Sequence, residues 1–247
     1  MIENVNGERR KKQWIITPDK FLSTEQVRHV VEHLLARRDL AAVRANNPQA
    51  IKDYYMVRAL LESGLRCFEF CDLALMDFNG HKVTVRRGKG GKPRTVVLTK
   101  ATALMLNEWR SVREQRGFST DPSTPLFPSR YGTPYTTRGV QKRIEQIFAA
   151  TGLPENLSTH STRHTYCSHL LETGKVGLGT VKENMGHSSI ATTNLYSHAV
   201  AKLDGVELYE TPSSHFYQKD ELGGQLRGKK ANDFVKTISR KANLKRP

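Results

Sequence analysis

The sequence predicts a mainly α-helical protein with one small antiparallel β-sheet, an α+β fold. Three observations lead there. Apolar residues recur at helical spacing from Val27 to Leu61 and again beyond residue 100. The period shortens to two only where His81-Lys-Val-Thr-Val-Arg-Arg87 and Pro93-Arg-Thr-Val-Val-Leu-Thr99 flank Gly88-Lys-Gly-Gly91, the pattern of a hairpin with a cationic tip. No apolar run approaches the roughly 20 residues that cross a bilayer.

Residues 1–20 are polar, carry Arg9-Arg-Lys-Lys12 and are expected to form a basic flexible arm. Ser23-Thr-Glu-Gln26 resembles a capping box that opens a first helix, with Val27, Val30, Val31, Leu34 and Leu35 at helical spacing. Asn46-Asn-Pro48 breaks it. A second helix is expected over 49–63, with Ile51, Tyr55, Val57, Leu60 and Leu61 mostly on one side and Gly64 as its stop. A short helix follows Arg66 to about Leu75, and Asp77-Phe-Asn-Gly80 turns the chain into the hairpin. Further helices are expected at about 100–116, 136–151, 162–173, 178–186 and 189–198, with a loop or short hairpin over 126–134. Residues 222–247 hold eight Lys/Arg against Asp233 and read as a basic tail with one amphipathic helix.

Charge narrows the partner. Among 247 residues, 39 Lys+Arg face 24 Asp+Glu, a net +15. Taking away the tail's +7 leaves +8, so the body itself is basic. Such an excess points to a polyanion, with nucleic acid ahead of a membrane surface. The start, Met1-Ile-Glu-Asn-Val-Asn-Gly, lacks a signal-peptide core, so a cytoplasmic, nucleoid-associated protein is expected. Cys67, Cys71 and Cys167 form no Cys-x-x-Cys and read as buried thiols of a reducing compartment. The histidines lack a ligand spacing accompanied by carboxylates, so neither a metal nor another cofactor is expected.

Three blocks carry the chemistry: Gly64-Leu-Arg66, His160-Ser-Thr-Arg163-His164 and Met185-Gly-His187 followed by Tyr196. Taken singly, Arg66 is an ion-pairing surface arginine, Gly88-Lys-Gly-Gly a common turn and Tyr196 a residue at a core edge. Together they suit attack on a phosphodiester by a phenol. The transition state gathers negative charge, which fixed cations stabilise where water is excluded. Arg66 and Arg163 can clamp the phosphate with planar forks. Lys89 can protonate the leaving oxygen, and His160 and His187 can donate hydrogen bonds or assist proton transfer. Tyr196 then holds the broken strand covalently.

Leu61-Glu-Ser-Gly-Leu-Arg66-Cys-Phe-Glu69, Thr159-His160-Ser-Thr-Arg163-His164-Thr-Tyr-Cys-Ser-His169-Leu-Leu-Glu-Thr-Gly174 and Met185-Gly-His187-Ser-Ser-Ile-Ala-Thr-Thr-Asn-Leu-Tyr196 resemble the tyrosine recombinase (phage integrase) family over about residues 20–200. The resemblance implies the catalytic-domain fold of that family and a catalytic set of Arg66, Lys89, His160, Arg163, His187 and Tyr196. It implies that Glu69 orients or balances Arg66, with Asp72 as an alternative. Thr162 departs from the apolar residue usual between the motif histidine and arginine. Arg86, Arg87, Lys92, Arg94, Arg138 and His164 are expected DNA contacts.

The implied organisation is an arm over 1–20, a catalytic domain over 21–200 and an extension over 201–247. Such a chain resembles a catalytic domain alone or a fragment of a longer enzyme. The implied activity is site-specific cleavage and rejoining of double-stranded DNA through a 3′-phosphotyrosyl intermediate, without metal. The implied assembly is a homo-tetramer on paired recombination sites, with accessory DNA-bending proteins. Two alternatives stand beside it: relaxation of supercoils in the manner of a type IB topoisomerase, and a non-catalytic DNA-binding regulator of the same fold.

Overall fold

The computed structural model describes residues 18–44, 47–88, 91–173, 176 and 178–186. Lys89, His187, Tyr196, most of the N-terminal arm, the helix expected over 189–198 and the tail over 222–247 lie outside the described residues.

Helix α1 (Thr24–Arg44) opens on the capping box read from the sequence. The Ser23 N–H donates to Gln26 Oε1 at 2.9 Å, and Ser23 Oγ accepts the Gln26 N–H at 3.2 Å. Helix α2 (Pro48–Ser63) starts with proline in its first turn, and Asn47 Oδ1 accepts the Ala50 N–H at 3.0 Å. It ends at Gly64, whose φ of 63° is left-handed.

The one-sided pattern read for α2 does not survive packing. Every residue from Ala50 to Ser63 is buried, because α1, α4 and α6 surround the helix. Its charged residues tolerate this through partners. Arg58 Nε donates to Glu62 at 2.6 Å, Thr102 Oγ1 donates to Glu62 at 2.9 Å, and Arg143 forms a fork with Asp53.

Helix α3 (Cys67–Cys71) is shorter than the helix expected to reach Leu75. Backbone groups beyond it pair with a distant loop instead: the Leu126 N–H donates to Leu73 O at 2.8 Å, and the Leu75 N–H to Thr124 O at 2.9 Å. A 3₁₀ turn, Leu75–Asp77, follows. The segment expected as a plain turn contributes a third strand. Strands β1 (Phe78–Asn79), β2 (Lys82–Val85) and β3 (Arg94–Val97) form an antiparallel sheet in that order, with Val83 opposite both Phe78 and Val96. Val83, Val85 and Val96 are buried, while Lys82, Thr84 and Thr95 are exposed.

Helices α4 (Lys100–Gln115) and α5 (Thr137–Ala150) are capped by Thr99 and Thr136. Between them, Ser129 and Thr133 close a short hairpin with a 2.7 Å backbone bond. Helix α6 (Thr159–Glu172) begins three residues before the expected start at 162, because the Ser158 N–H donates to Ser161 Oγ at 3.1 Å and Ser158 Oγ accepts the His160 N–H at 3.2 Å. His160 is therefore inside the first turn of the helix. Helix α7 (Leu178–Met185) lies against β3 and α6. One apolar cluster joins α1, α2, α4, α5 and the sheet. A second gathers Tyr166, Cys167, Leu170, Leu171, Val176, Val181 and Met185 around α6 and α7. No described helix is long and apolar enough to cross a membrane.

Candidate active site

The site forms where α2 ends, α3 and α6 begin, and α7 finishes. Close approach at the end of α2 requires glycine. A Cβ on Gly64 would lie 2.4 Å from Tyr166 Cδ1 and 2.9 Å from Met185 Sδ. With no Cβ there, the Gly64 carbonyl can accept a hydrogen bond from Arg163 Nη1, while Arg163 Nη2 donates to the Met185 carbonyl. Arg163 is buried. Burial, and then the neighbouring Arg66 charge, push its pKa down to about 9, so it remains a cation at neutral pH.

Arg66 caps α3 in an extended conformation. Its N–H donates to Glu69 Oε2 at 2.8 Å, its Nη1 to Glu69 Oε1 at 3.0 Å and its Nη2 to Gly186 O at 3.4 Å. The Glu69 side chain is fully buried. It also receives Arg94 Nη1 at 2.5 Å and Nη2 at 2.8 Å. Burial alone would raise the pKa of Glu69; its hydrogen bonds to Arg94 and Arg66 outweigh that and hold it below the usual range. Asp72 points elsewhere, forming a fork with Arg87.

His160 is exposed on α6, three residues before Arg163, with its ring edge-on to His164 at 6.1 Å. Burial, then His160 and Arg163, lower the His164 pKa to about 4. At neutral pH His164 is an uncharged imidazole. Thr162, the departure from the family pattern, is fully buried, and its hydroxyl donates to Thr159 O at 2.8 Å.

The expected DNA contacts divide. Arg87 is exposed, as are Lys92 and Arg138. Arg86 lies on the same side chain cluster as Arg87, donating to Asp72 O at 2.6 Å and pairing with Asp77 at 3.1 Å. Arg94 turns inward and is committed to Glu69 and, through Nε, to Asn184 O at 3.0 Å. Among the described residues the structure thus brings Arg66, Glu69, Arg94 and Arg163 together. Gly186, which directly precedes His187 in sequence, closes the group through its contact with Arg66.

Sequence reasoning missed two supports. Asn184 joins α7 to β3, with Oδ1 accepting the Val97 N–H and Nδ2 donating to Val97 O, each at 3.1 Å. Nδ2 also lies 3.1 Å from Tyr166 Oη, which burial raises to a pKa of about 12. The inward course of Arg94 did have a signal, since it shares strand parity with buried Val96. Nothing in the local sequence marks Asn184.

The model of the phage integrase family matches residues 20–202. The chain belongs to that family. A tyrosine recombinase XerC of Xanthomonas campestris pv. campestris (strain B100) is 35% identical over 161 residues, 64% of this chain and 48% of the relative. The chain spans about half the length of the curated relatives it matches first. Among solved structures, XerA recombinase aligns over 83% of this chain and 66% of its own, with a TM-score of 0.58 at 21% identity. XerH site-specific recombinase bound to its difH substrate aligns over 72% of this chain and 50% of its own, with a TM-score of 0.55 at 24% identity. The fold, mostly helical with a three-stranded sheet, is shared with these recombinase structures.

Proposed function

We propose that this chain is a site-specific DNA recombinase that cuts and rejoins strands through Tyr196. The observation carrying the reading is the uneven charge at the site: Arg66, Arg94 and Arg163 gather around one buried carboxylate, Glu69. Among the described residues, three guanidiniums beside one carboxylate leave positive charge for an anion, and membership of the phage integrase family says which anion to test.

In this reading Arg66 and Arg163 hold the non-bridging oxygens of the scissile phosphate. The Tyr196 Oη attacks phosphorus and loses its proton, with His160 or His187 assisting. The P–O5′ bond breaks, and Lys89 protonates the leaving 5′-oxygen. A 5′-hydroxyl later attacks the phosphotyrosyl bond, restoring the phosphodiester and the phenol. The phosphoester energy is conserved, so no high-energy cofactor is consumed. Arg87, Lys92 and Arg138 contact phosphates around the cut, giving steep salt dependence. His164, neutral at pH 7, contributes there by hydrogen bonding. The chain would act in the cytoplasm as a catalytic domain over residues 21–200, and recombination would require a tetramer on paired sites, with DNA-bending proteins where the sites demand them.

The test uses a nicked suicide duplex selected from a random-sequence library by retention on the wild-type protein. Wild type forms a covalent protein–DNA adduct and Tyr196→Phe forms none. No adduct with wild type would sink the enzymatic reading and leave a DNA-binding regulator. Relaxation of a supercoiled plasmid lacking the selected site would favour the topoisomerase-like alternative.

A further inference from the structure

We infer that Arg94 is a positioning residue that keeps the positive field of Arg66 available to a phosphate by sharing the charge of Glu69; the inference rests on the strand-cleavage reading above. Arg94 begins β3 opposite Val85, and its side chain is 12% exposed. Its two terminal nitrogens grip both oxygens of Glu69 at 2.5 and 2.8 Å, a fork-to-fork pair. Its Nε is held by the Asn184 carbonyl at 3.0 Å. Three of its five N–H donors are thus used inside the protein, which suits a brace better than a phosphate contact.

Glu69 is saturated by this arrangement. Oε1 accepts from Arg66 Nη1 and Arg94 Nη1, and Oε2 from the Arg66 N–H and Arg94 Nη2. One negative charge therefore orients Arg66 while being divided between two guanidiniums. Without Arg94, the whole charge of a buried carboxylate would fall on Arg66 and cancel the field that Arg66 presents to a phosphate.

Arg94 also ties three segments into one unit. It stands on the strand that returns from the hairpin containing Lys89. It binds the helix start that carries Arg66. It lies under Gly186, where a Cβ would meet Arg94 Cδ at 2.8 Å and Nε at 2.9 Å, with φ of 59° adding a second reason for glycine. His187 is the next residue.

This makes an unusual prediction: a defect at Arg94 is relieved by removing its partner. At saturating concentrations of the selected suicide duplex, Arg94→Gln should slow adduct formation about 100-fold, the scale of one lost electrostatic group at a transition state. DNA affinity should stay within about threefold, because no phosphate contact is lost. Adding Glu69→Gln to the Arg94→Gln chain should restore about tenfold of the rate, since the neutral amide still accepts from the Arg66 N–H without cancelling its charge.

A double variant no faster than Arg94→Gln would overturn the inference, leaving a purely structural brace. Weaker DNA binding with an unchanged saturated rate would overturn it too, making Arg94 a DNA contact. If melting shows that Arg94→Gln does not fold, Arg94→Lys decides: a folded variant within about threefold of the wild-type rate supports charge sharing, because lysine keeps the cation, and a loss of about 100-fold rejects it in favour of a purely structural fork. Absence of any adduct with wild type would instead reject the cleavage reading.

Discussion

Two sides of this molecule handle buried charge in opposite ways. Along α2 each guanidinium meets its own carboxylate, Arg58 with Glu62 and Arg143 with Asp53. At the end of α2 two guanidiniums, those of Arg66 and Arg94, share Glu69, and the neighbouring Arg163 is answered by backbone carbonyls. The first arrangement is neutral and closed. The second keeps a surplus of positive charge among the described residues, and the lowered pKa of Arg163 reflects the burial and crowding behind that surplus. Matched pairs hold the scaffold together, while on the strand-cleavage reading proposed above the unmatched ones define where it works.

The largest expected effect breaks the surplus side. Arg163→Lys keeps a cation but cannot hold the Gly64 and Met185 carbonyls and a phosphate with one planar fork. Single-turnover adduct formation should fall about 100-fold or more. Urea denaturation should shift little, since the wild-type guanidinium is already short of counter-charge. A rate within a few-fold of wild type would mean that Arg163 is scaffold after all.

The matched side should behave in reverse. Arg143→Ala leaves Asp53 fully buried with only the Gln49 amide, 2.8 Å away, as a remaining donor in that pair. Breaking such a pair should cost about 3 kcal/mol of unfolding free energy, read from urea melts. The adduct rate per folded molecule should stay within about twofold, the difference expected of a site that keeps its own charges. A rate loss out of proportion to stability would erase the distinction between the two sides.

Much of this contrast was legible before the fold. The capping box at Ser23, the stop at Gly64 and the two strands flanking the turn after Val85 rest on local rules, and the structure builds them locally. The blocks carrying Arg66 and Arg163 were legible as motifs, but bonds to Gly64, Met185 and Gly186 join them across the chain. Non-local bonds wrote the rest. The helix after Arg66 stops at Cys71 because residues 73–76 pair with 122–126, some 50 residues on. The helix α2 is buried on every side by α1, α4 and α6, and its charges tolerate this because they find partners on α4 and α5, which no periodicity records. Arg94 was grouped with surface arginines because charge count ignores strand parity, whereas the sheet turns it inward with Val96.

The smallest effect concerns the exception on the matched side. Lys52 is buried on α2, but its Nζ donates to a carbonyl, Pro128 O at 2.6 Å, and sits 5.2 Å from the Phe118 ring and 5.6 Å from that of Tyr135. Burial lowers its pKa to about 8, with Arg113 pushing the same way and Asp53 opposing. The sign follows from proton counts. An unfolded lysine titrates near about 10.4, so between pH 8 and that value the unfolded chain holds the proton that the folded chain has released. Stability therefore rises with pH across this window, and the contribution is flat below it. Urea melts of wild type and Lys52→Met across the window should diverge, with wild type gaining relative to the variant as pH increases. Parallel curves would mean that Asp53 balances Lys52 as fully as it balances Arg143, and the matched side would then have no exception.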